Sequence, residues 1–413
     1  MIRETREQQG ESLQGDGRRI LIVVENLPVP LDRRVWMEAT TLHGAGYQVS
    51  VICPMGRGWD AAYEEIDGIH IYRFPLPPEA HEGAIAYARE WGGALWHMFR
   101  LARQVRAERG FDVIHGCNPP DLLFLLGMRY RLAGVRFLFD HHDVAPELFE
   151  AKFGKRGLIY KILRLWERMT FRTADVSIAT NESFRQIAIT RGGMAPEDVF
   201  VVRSAPQVGK FEIQPPDPAV RKGAGTVIGY VGVIGQQEGM DLLVAAADHL
   251  INRLGKSDVR FVIIGFGPHE QVVQADVAAR GLEAYFDFPG ALYGEEMLRV
   301  LCSADIGVCP DPKNAMNDIS TMNKIMEYML LEKPSVQFDL KEGRVSAQGA
   351  SLYATPNVPE DFAEKIAWLI DHPEEGRDMG VAGRKRVLEG LSWESSVAPL
   401  LAAYDRIFTK AGR

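Results

Sequence analysis

The chain has 413 residues, of which 46% are hydrophobic and 25% are charged. This composition is typical of a globular protein and excludes a disordered or fibrous chain, and the length predicts two domains. The net charge of −8 lies in residues 209–413, because residues 1–208 carry 26 basic and 26 acidic side chains. A chain without a broadly basic domain is not expected to bind nucleic acid.

The apolar runs, the N-terminal segment and the cysteines indicate in which cellular compartment the protein is expected. No uninterrupted apolar run approaches 18 residues, which predicts that no helix crosses a membrane, and the polar residues 1–17 are predicted to form a disordered leader rather than a secretory signal. The four cysteines lack metal-ligand spacing and have apolar neighbours. We therefore expect buried free thiols in a cytoplasmic protein.

Strand-like apolar runs alternate with helical stretches in the first half of the chain. The run Ile20–Val24 has no polar face, as expected for a strand buried on both sides of a parallel sheet. Helices are predicted at 33–45 and 83–109, and further strands at 47–53, 68–74, 112–115, 136–140, 176–179 and 199–202. This order predicts an α/β domain over residues 18–208, with a doubly wound sheet that binds ligands at the carboxyl ends of its strands.

The same alternation restarts in the second half. Residues 209–225 are rich in Pro, Gly and charge and are predicted to be a linker. A second Rossmann-like domain is predicted over 209–390, with strands at 227–233, 259–264, 285–288, 306–309 and 335–338 and helices near 239–254, 294–303, 323–331 and 360–371. The two domains are expected to face each other across a cleft. The helical segment 391–413 is expected to pack back toward the first domain.

One helix start in the second domain has the composition of a phosphate site. Ser320, Thr321 and Asn323 are capping residue types that stand before a helical pattern, and a helix N-terminus attracts anions. Lys324 in the first turn opposes the helix dipole by roughly 0.3–1 kcal/mol, a conflict that a bound anion would remove. Glu327, on the same face, is placed to accept hydrogen bonds from a ribose. A capped helix with a surface Lys–Glu pair explains the spacing equally well.

The segment 323–329, followed by Lys333-Pro334, resembles the N-K-x-x-E-Y-M…K-P stretch of retaining GT-B glycosyltransferases of family 4, of the type found in surface-polysaccharide biosynthesis. Residues 140–147 look like the D-x-H-[DE]-x-x-P-E element of the acceptor domain. Residues 229–239 and 262–268 look like the first donor-domain loop and the G-x-G-P turn. The resemblance covers residues 18–408 in order and implies the GT-B fold, two Rossmann-like doubly wound domains facing across a cleft.

The resemblance implies a nucleotide-sugar donor, UDP- or GDP-linked, held mostly by the second domain. Glu327 matches the second Glu of the E-x7-E motif, which binds the ribose, whereas the first position holds Ile319. Ser320, Thr321 and Met322 match the backbone stretch that meets the diphosphate or donor sugar. The donor-binding residues predicted on this basis are Gly235, Gln236, Arg203, Gly265, Ser320, Thr321, Met322, Asn323 and Glu327.

The usual phosphate clamp of the family is altered in this chain. The family's Arg and Lys in the first donor-domain loop are replaced by Val233 and Glu238. Lys324, the amides of residues 235–237 and Arg203 are the available substitutes, although a surface arginine is the simpler interpretation of Arg203.

His142 follows a buried strand and matches the family's histidine that contacts the donor sugar and the reaction centre. The resemblance therefore implies that His142 and Lys324 are catalytic, whereas without it a structural histidine is the simpler interpretation. The adjacent His141 is expected to point the other way. The run His141–Asp143 lacks the spacing of a zinc site.

The loop after the first strand carries charges where many relatives have glycines. Asp32, Arg33 and Arg34 are predicted to line the acceptor side, with a salt-bridge network at the helix start as an equal alternative. The chain contains no Asp-x-Asp pair. We therefore predict metal-independent transfer without a cofactor, in which positive groups neutralise the leaving diphosphate.

Residues 152–172 carry seven basic side chains against one Glu, interleaved with apolar residues. Such a segment can lie on an anionic membrane, and a second helix around Trp91 and Arg100 has similar character. This favours peripheral contact with the inner face of the membrane and a glycan or lipid-linked acceptor. The alternative is that the apolar faces are core and the arginines are solvated.

The sequence therefore predicts a retaining hexosyl- or N-acetylhexosaminyl-transferase. A non-hydrolysing sugar-nucleotide epimerase and a catalytically inactive glycosyltransferase-like binding protein are the alternatives. A nicotinamide-dependent dehydrogenase is disfavoured because no G-x-G-x-x-G follows the first strand.

Overall fold

The computed structural model describes residues 15, 17–76 and 84–410, and only the backbone of residues 84–91. The predicted leader lies almost wholly outside these residues, and the side chain of Trp91 is also outside them. The described chain divides into two compact units. Unit 1 comprises residues up to Val202 together with the segment from Ser396, and unit 2 runs from Arg203 to Ser395.

Unit 1 contains an eight-stranded sheet in the order β3-β4-β2-β1-β5-β6-β7-β8. All neighbours are parallel except the edge pair β3–β4. The strands are β1 (Arg19–Val23), β2 (Gln48–Pro54), β3 (Tyr63–Ile66), β4 (Ile69–Phe74), β5 (Val113–Cys117), β6 (Arg136–His141), β7 (Val176–Ala179) and β8 (Val199–Val201). The helices are α1 (Arg33–Gly44), α2 (Ala84–Glu108), α3 (Phe124–Arg131), α4 (Ala145–Phe153), α5 (Leu158–Thr173) and α6 (Glu182–Gln186).

Unit 2 contains a six-stranded parallel sheet in the order β11-β10-β9-β12-β13-β14. The strands are β9 (Thr226–Val231), β10 (Val259–Ile264), β11 (Phe286–Gly290), β12 (Ile306–Cys309), β13 (Ser335–Phe338) and β14 (Ser351–Ala354). The helices are α7 (Pro218–Arg221), α8 (Met240–Asp248), α9 (Glu270–Ala279), α10 (Gly294–Ser303), α11 (Asn323–Leu330), α12 (Lys341–Ala347), α13 (Pro359–Asp371) and α14 (Pro373–Gly390), and α15 (Trp393–Thr409) passes from unit 2 into unit 1.

The central strands are buried on both faces, which is why they read as continuous apolar runs. In β1, the residues from Ile20 to Val23 are all at most 1% exposed, and helices cover both faces of such a sheet. The four cysteines are free and buried, as predicted. In the described part of the chain, none of the helices combines the length and apolar composition needed to span a bilayer.

Candidate functional site

Each sheet has one pair of adjacent central strands at which the strand order reverses, so that the connections after these two strands run toward opposite edges of the sheet. In unit 2 these strands are β9 and β12, and in unit 1 they are β1 and β5. A crevice opens outside the carboxyl ends of such a pair, and this is where open α/β sheets bind ligands.

In unit 2, the loops after β9 and β10 touch through their backbones. Gly265 has φ 150°, and a Cβ at this position would lie 1.8 Å from the carbonyl oxygen of Gly232. The Gly232 amide in turn donates to the Ile264 carbonyl at 3.0 Å. Gly265 is thus required for the close approach of two loops at the sheet edge.

Lys324, on the first turn of α11, points into this edge. Its Nζ lies 2.8 Å from Oδ2 of Asp311, which follows β12, and 4.8 Å from the ring centroid of Tyr230 on β9. The two charged side chains are only 11% and 4% exposed. Burial alone would lower the pKa of Lys324, but the Asp311 carboxylate raises it well above its usual value. Lys324 is therefore a buried, fully charged ammonium.

The prediction that Ser320, Thr321 and Asn323 cap this helix is wrong. The N-cap residue of α11 is Met322, whose side chain makes no capping hydrogen bond. Ser320 Oγ donates to the Met316 carbonyl at 2.7 Å, and Asn323 Nδ2 donates to Ser204 Oγ at 3.4 Å. Ser320 therefore bonds within the turn that precedes the helix, and Asn323 is the first residue of the helix itself.

The remaining predicted donor residues occupy different places in unit 2. Gly235 and Gln236 open a single 3-10 turn after β9, and Glu327 is buried on α11. Arg203 instead lines a cavity of about 650 Å³ beside Lys385 and Arg386. The structure thus brings Lys324 together with the glycine-rich loops and gives Arg203 basic neighbours of its own.

Sequence reasoning missed two side chains at this edge. Asp311 lies two residues after β12, next to the central strand, and its position could have been inferred from the switch point alone. Asn317, which is 1% exposed, donates to the carbonyls of Gln237 and Pro312 at 3.0 and 2.9 Å. It therefore ties together the loops that follow β9 and β12, and no local sequence signal indicates this role.

In unit 1, the acceptor-side trio splits into three environments. Asp32 caps α1 by accepting from the Val35 amide at 3.1 Å, and Arg33 is exposed. Arg34 is buried and holds Asp140 at the end of β6, with Nε–Oδ2 at 2.9 Å and Nη2–Oδ1 at 2.7 Å. Arg34 thus takes part in the salt-bridge network that was the alternative, Asp32 is a helix cap, and the acceptor-side role of the three residues stays a prediction.

His142 is fixed through both its ring and its backbone. Ring Nδ1 lies 3.0 Å from Asp140 Oδ2, and the amides of His142 and Asp143 donate to Asn118 Oδ1 at 2.9 and 3.1 Å. Burial lowers the pKa of His142, but the Asp140 carboxylate outweighs it and the net shift is upward. The ring keeps 12% of its surface exposed.

His141 has apolar surroundings. It is fully buried, with ring centroids of Phe139, Phe171 and Phe184 at 5.6, 5.0 and 5.0 Å. Burial lowers the pKa of His141 to about 3, so this ring is neutral at physiological pH. The two adjacent histidines therefore differ in charge as well as in partners.

A third histidine, which sequence reasoning missed, completes the cluster behind His142. His115 on β5 lies with Nδ1 2.9 Å from the Tyr404 hydroxyl of α15, and its Nε2 lies 3.5 Å from Glu38 and 3.9 Å from Asp140. Ligand atoms of Glu38, His115, Cys117 and Asp140 lie within 4.8 Å of one another. The guanidinium of Arg34 already contacts both carboxylates, so we interpret the group as an ion-pair cluster rather than a metal centre.

Comparison with known proteins agrees with this geometry. A family model described as "Glycosyl transferase 4-like domain" matches residues 31–205, and one described as "Glycosyl transferases group 1" matches residues 225–372. Alpha-maltose-1-phosphate synthase of Mycolicibacterium smegmatis is 25% identical over 67% of this chain and 74% of its own length.

Solved structures show the same architecture. Sucrose-phosphate synthase of Thermosynechococcus elongatus has a TM-score of 0.78 at 16% identity, covering 95% of this chain and all of that one. HepE of Anabaena, in complex with UDP-glucose, has a TM-score of 0.69 at 14% identity, covering 94% and 99%. Two parallel-sheet α/β units with this likeness define the GT-B fold. Since the two family models together match most of the chain, the protein belongs to the family 4 GT-B glycosyltransferases and is a glycosyltransferase.

Proposed function

We propose that the protein is a retaining, metal-independent hexosyl- or N-acetylhexosaminyl-transferase. Its donor is a nucleotide sugar, UDP- or GDP-linked, and its acceptor is a glycan or a lipid-linked glycan. The observation that carries the proposal is the buried ammonium of Lys324 at the start of α11, beside the glycine-rich loops at the switch point of unit 2. The binding of UDP-glucose by HepE favours UDP as the first nucleotide to test.

The leaving diphosphate is stabilised by fixed positive groups. The Lys324 ammonium has three N–H donors, of which Asp311 takes one, and the first amides of α11 add the partial positive charge of a helix N-terminus. Such preorganised donors act on charge that develops as the bond from the anomeric carbon to the diphosphate breaks. The acceptor hydroxyl then attacks from the same face and gives its proton to the departing diphosphate oxygen, so that the configuration is retained.

The remaining donor contacts follow from the family motifs. Glu327 holds the ribose, residues 320–323 meet the diphosphate or sugar through their backbone, and the loop at Gly235 and Gln236 lies against the phosphates. His142 of unit 1 contacts the donor sugar at the reaction centre. We assign no carboxylate nucleophile.

The test distinguishes loss of activity caused by removing the Lys324 charge from loss of activity caused by destabilising the fold. Lys324→Met leaves the Asp311 carboxylate buried without its partner, whereas the double variant Lys324→Met/Asp311→Asn removes both charges. We expect both to lose roughly 100- to 1,000-fold in kcat/KM for nucleotide-sugar turnover, with the double variant closer to the wild type in stability. The exposed Lys341→Ala in the same unit is the control. Full turnover by the double variant would refute the site.

The donor is identified by thermal shift with UDP, GDP and ADP and their sugar conjugates. A ligand that binds only the native state at 100 times its Kd stabilises it by about 2.7 kcal/mol. Activity that persists after exhaustive chelation is expected. Nucleotide binding without transfer to any acceptor would instead identify a glycosyltransferase-like binding protein.

We also propose that residues 152–172 lie on the inner face of an anionic membrane. On α5, Leu158 is 74% exposed, and Ile159 and Leu165 are also exposed among basic side chains. The one acidic residue, Glu167, is buried and paired with Arg191, so it does not offset the positive surface. The adjacent α3 and its end expose Met128 and Leu132, the latter to 98%. Exposed apolar side chains among basic side chains are suited to an anionic lipid surface.

The membrane proposal is tested by flotation with vesicles of anionic or zwitterionic lipid. We expect binding to the anionic vesicles only, weakened by salt and by Leu158→Ser/Ile159→Ser. The matched control is Val381→Ser/Leu388→Ser on α14, two side chains that are also exposed but lie in unit 2. Equal binding to both lipids, or none, would contradict the proposal.

A further inference from the structure

The most unusual feature outside the donor edge is a buried charged cluster in unit 1. It consists of Arg34 and Glu38 on α1, His115 on β5 and Asp140 on β6, and none of them is more than 6% exposed. Burying ionisable side chains is costly unless they are paired. His142 lies beside this cluster and keeps 12% of its side-chain surface exposed.

Asp140 has no freedom to rotate. Arg34 donates to both of its oxygens, to Oδ2 at 2.9 Å and to Oδ1 at 2.7 Å, in a bidentate fork. Oδ2 is also 3.0 Å from Nδ1 of His142. A carboxylate that already accepts from Arg34 can only accept from the histidine, so Nδ1 must carry the proton.

Glu38 does not compete with Asp140 for the positive charge of Arg34. Its Oε1 lies 3.1 Å from Arg34 Nη2, but burial and the nearby Asp140 raise the pKa of Glu38 well above its ordinary value. Arg34 strongly favours the ionised form of Asp140, whose pKa is held well below its usual range despite burial. Arg34 is therefore the counter-ion of Asp140 rather than of Glu38, and Asp140 is the fixed hydrogen-bond acceptor for His142.

We propose that Asp140, locked by Arg34, is a positioning residue that holds the His142 ring with Nδ1 protonated and so presents Nε2 to the donor sugar. This assignment rests on the proposed transferase function in one respect, namely that the ligand of Nε2 is a donor sugar. The Asn118 side chain supports it by fixing the backbone of His142 and Asp143. The second layer, His115 and Tyr404, packs behind Asp140 and ties α15 to the same cluster.

The experiment reads the tautomer of His142 directly. In protein labelled with 15N-histidine, the His142 signals are assigned by their loss in His142→Gln. We expect Nδ1 to be protonated in the wild type across the titration. In Asp140→Asn, the NH2 group of the amide faces an N–H donor in either orientation, Nη2 of Arg34 in one and Nε of Arg34 with Nδ1 of His142 in the other. We therefore expect the Nε2-protonated tautomer, whose Nδ1 accepts from the amide, to appear and the pKa of His142 to fall.

Activity gives a second readout. Asp140→Asn is expected to lower kcat by roughly 10- to 100-fold, the size of loss seen when a partner that orients a metal-bound histidine is removed, while the KM for the nucleotide sugar, held by unit 2, changes little. Arg34→Lys keeps the charge but loses the fork and is expected to fall between wild type and Asp140→Asn. The control is Asp175→Asn, which removes a buried carboxylate just before β7. Asp175 lies four residues from Ala179, the residue of β7 that pairs with His141, and this corresponds to about 13 Å at roughly 3.3 Å per residue.

Two results would overturn the assignment. One is a wild type in which neutral His142 carries its proton on Nε2, a measurement that does not require any variant to fold. The other is a tautomer and pKa that are the same in the wild type and in Asp140→Asn. If the wild type transfers no sugar from any nucleotide, the proposed function fails, and the NMR result still decides whether Asp140 positions His142.

Discussion

Replacing Arg34 by methionine tests how much of unit 1 depends on the buried ion pair. Arg34 is 6% exposed and Asp140 is fully buried, and the guanidinium also donates to the Val202 carbonyl at 2.9 Å. Methionine fills much of the same space but carries no charge. The Asp140 carboxylate would then remain buried with His142 as its main partner.

The expected loss of stability is large. Removing one partner of a buried ion pair costs about 3–5 kcal/mol, because the other charge is left uncompensated. The free energy of unfolding of a domain is only about 5–15 kcal/mol. For a unit of this size each kcal/mol corresponds to about 2–4 °C, so we expect the melting temperature of unit 1 to fall by about 6–20 °C.

The loss should also depend on pH with a defined sign. In the wild type, Arg34 holds the pKa of Asp140 well below its usual range, so the pair contributes stability above about pH 4 that is lost as the pH falls through the folded pKa. Without Arg34, burial raises the pKa of Asp140, and protonation at mildly acidic pH then relieves the buried charge. The difference between wild type and variant is therefore expected to be largest near neutrality and to shrink toward about pH 4.

The assay is urea unfolding followed by circular dichroism at several pH values. Arg33→Met is the control, since Arg33 is adjacent but exposed, and a surface substitution is expected to change stability by no more than about 0.5 kcal/mol. Adding Asp140→Asn to Arg34→Met should restore part of the loss. Equal stability of the Arg34 and Arg33 variants at neutral pH would refute the reasoning.

Two further predictions concern packing. Gly265→Ala places a Cβ 1.8 Å from the Gly232 carbonyl oxygen at φ 150°, so it should destabilise unit 2 by at least about 1–3 kcal/mol in thermal unfolding, whereas Gly349→Ala, which meets nothing within 4 Å, should not. Tyr404→Phe removes the hydroxyl that lies 2.9 Å from His115 and should cost unit 1 about 1 kcal/mol in urea; an unchanged midpoint would show that the hydrogen bond does not stabilise the fold.

The central strands were predictable because a strand that is buried on both faces is a continuous run of apolar residues. Runs such as Ile20–Val24 and Val259–Ile264 are apolar on both faces, and parallel strands covered by helices need that pattern. The edge strands Tyr63–Ile66 and Ser351–Ala354 were missed. Tyr63–Ile66 alternates between exposed and half-buried residues, so only its pairing with the next strand makes it a strand.

The helix Pro373–Gly390 was also missed. It contains four glycines, a composition that disfavours helix in isolation. A Cβ on Gly380 would lie 2.1 Å from the Glu332 carbonyl oxygen, and one on Gly383 would lie 2.9 Å from the Ala350 Cβ. Close packing against neighbouring segments therefore requires Gly380 and Gly383 and supplies the stability that the low helix propensity of glycine lacks.

The sequence by itself determined the fold class, the family and the helix start at which Lys324 stands, because apolar period and short motifs are local properties. Only the tertiary structure decided the partners and charge states: Asp311 as the partner of Lys324, Met322 as the N-cap of its helix, and Asp140 as the partner of Arg34. The physical reason is that ion pairing and desolvation depend on distances of a few ångströms between residues far apart in the chain. Those distances exist only once the sheets have formed.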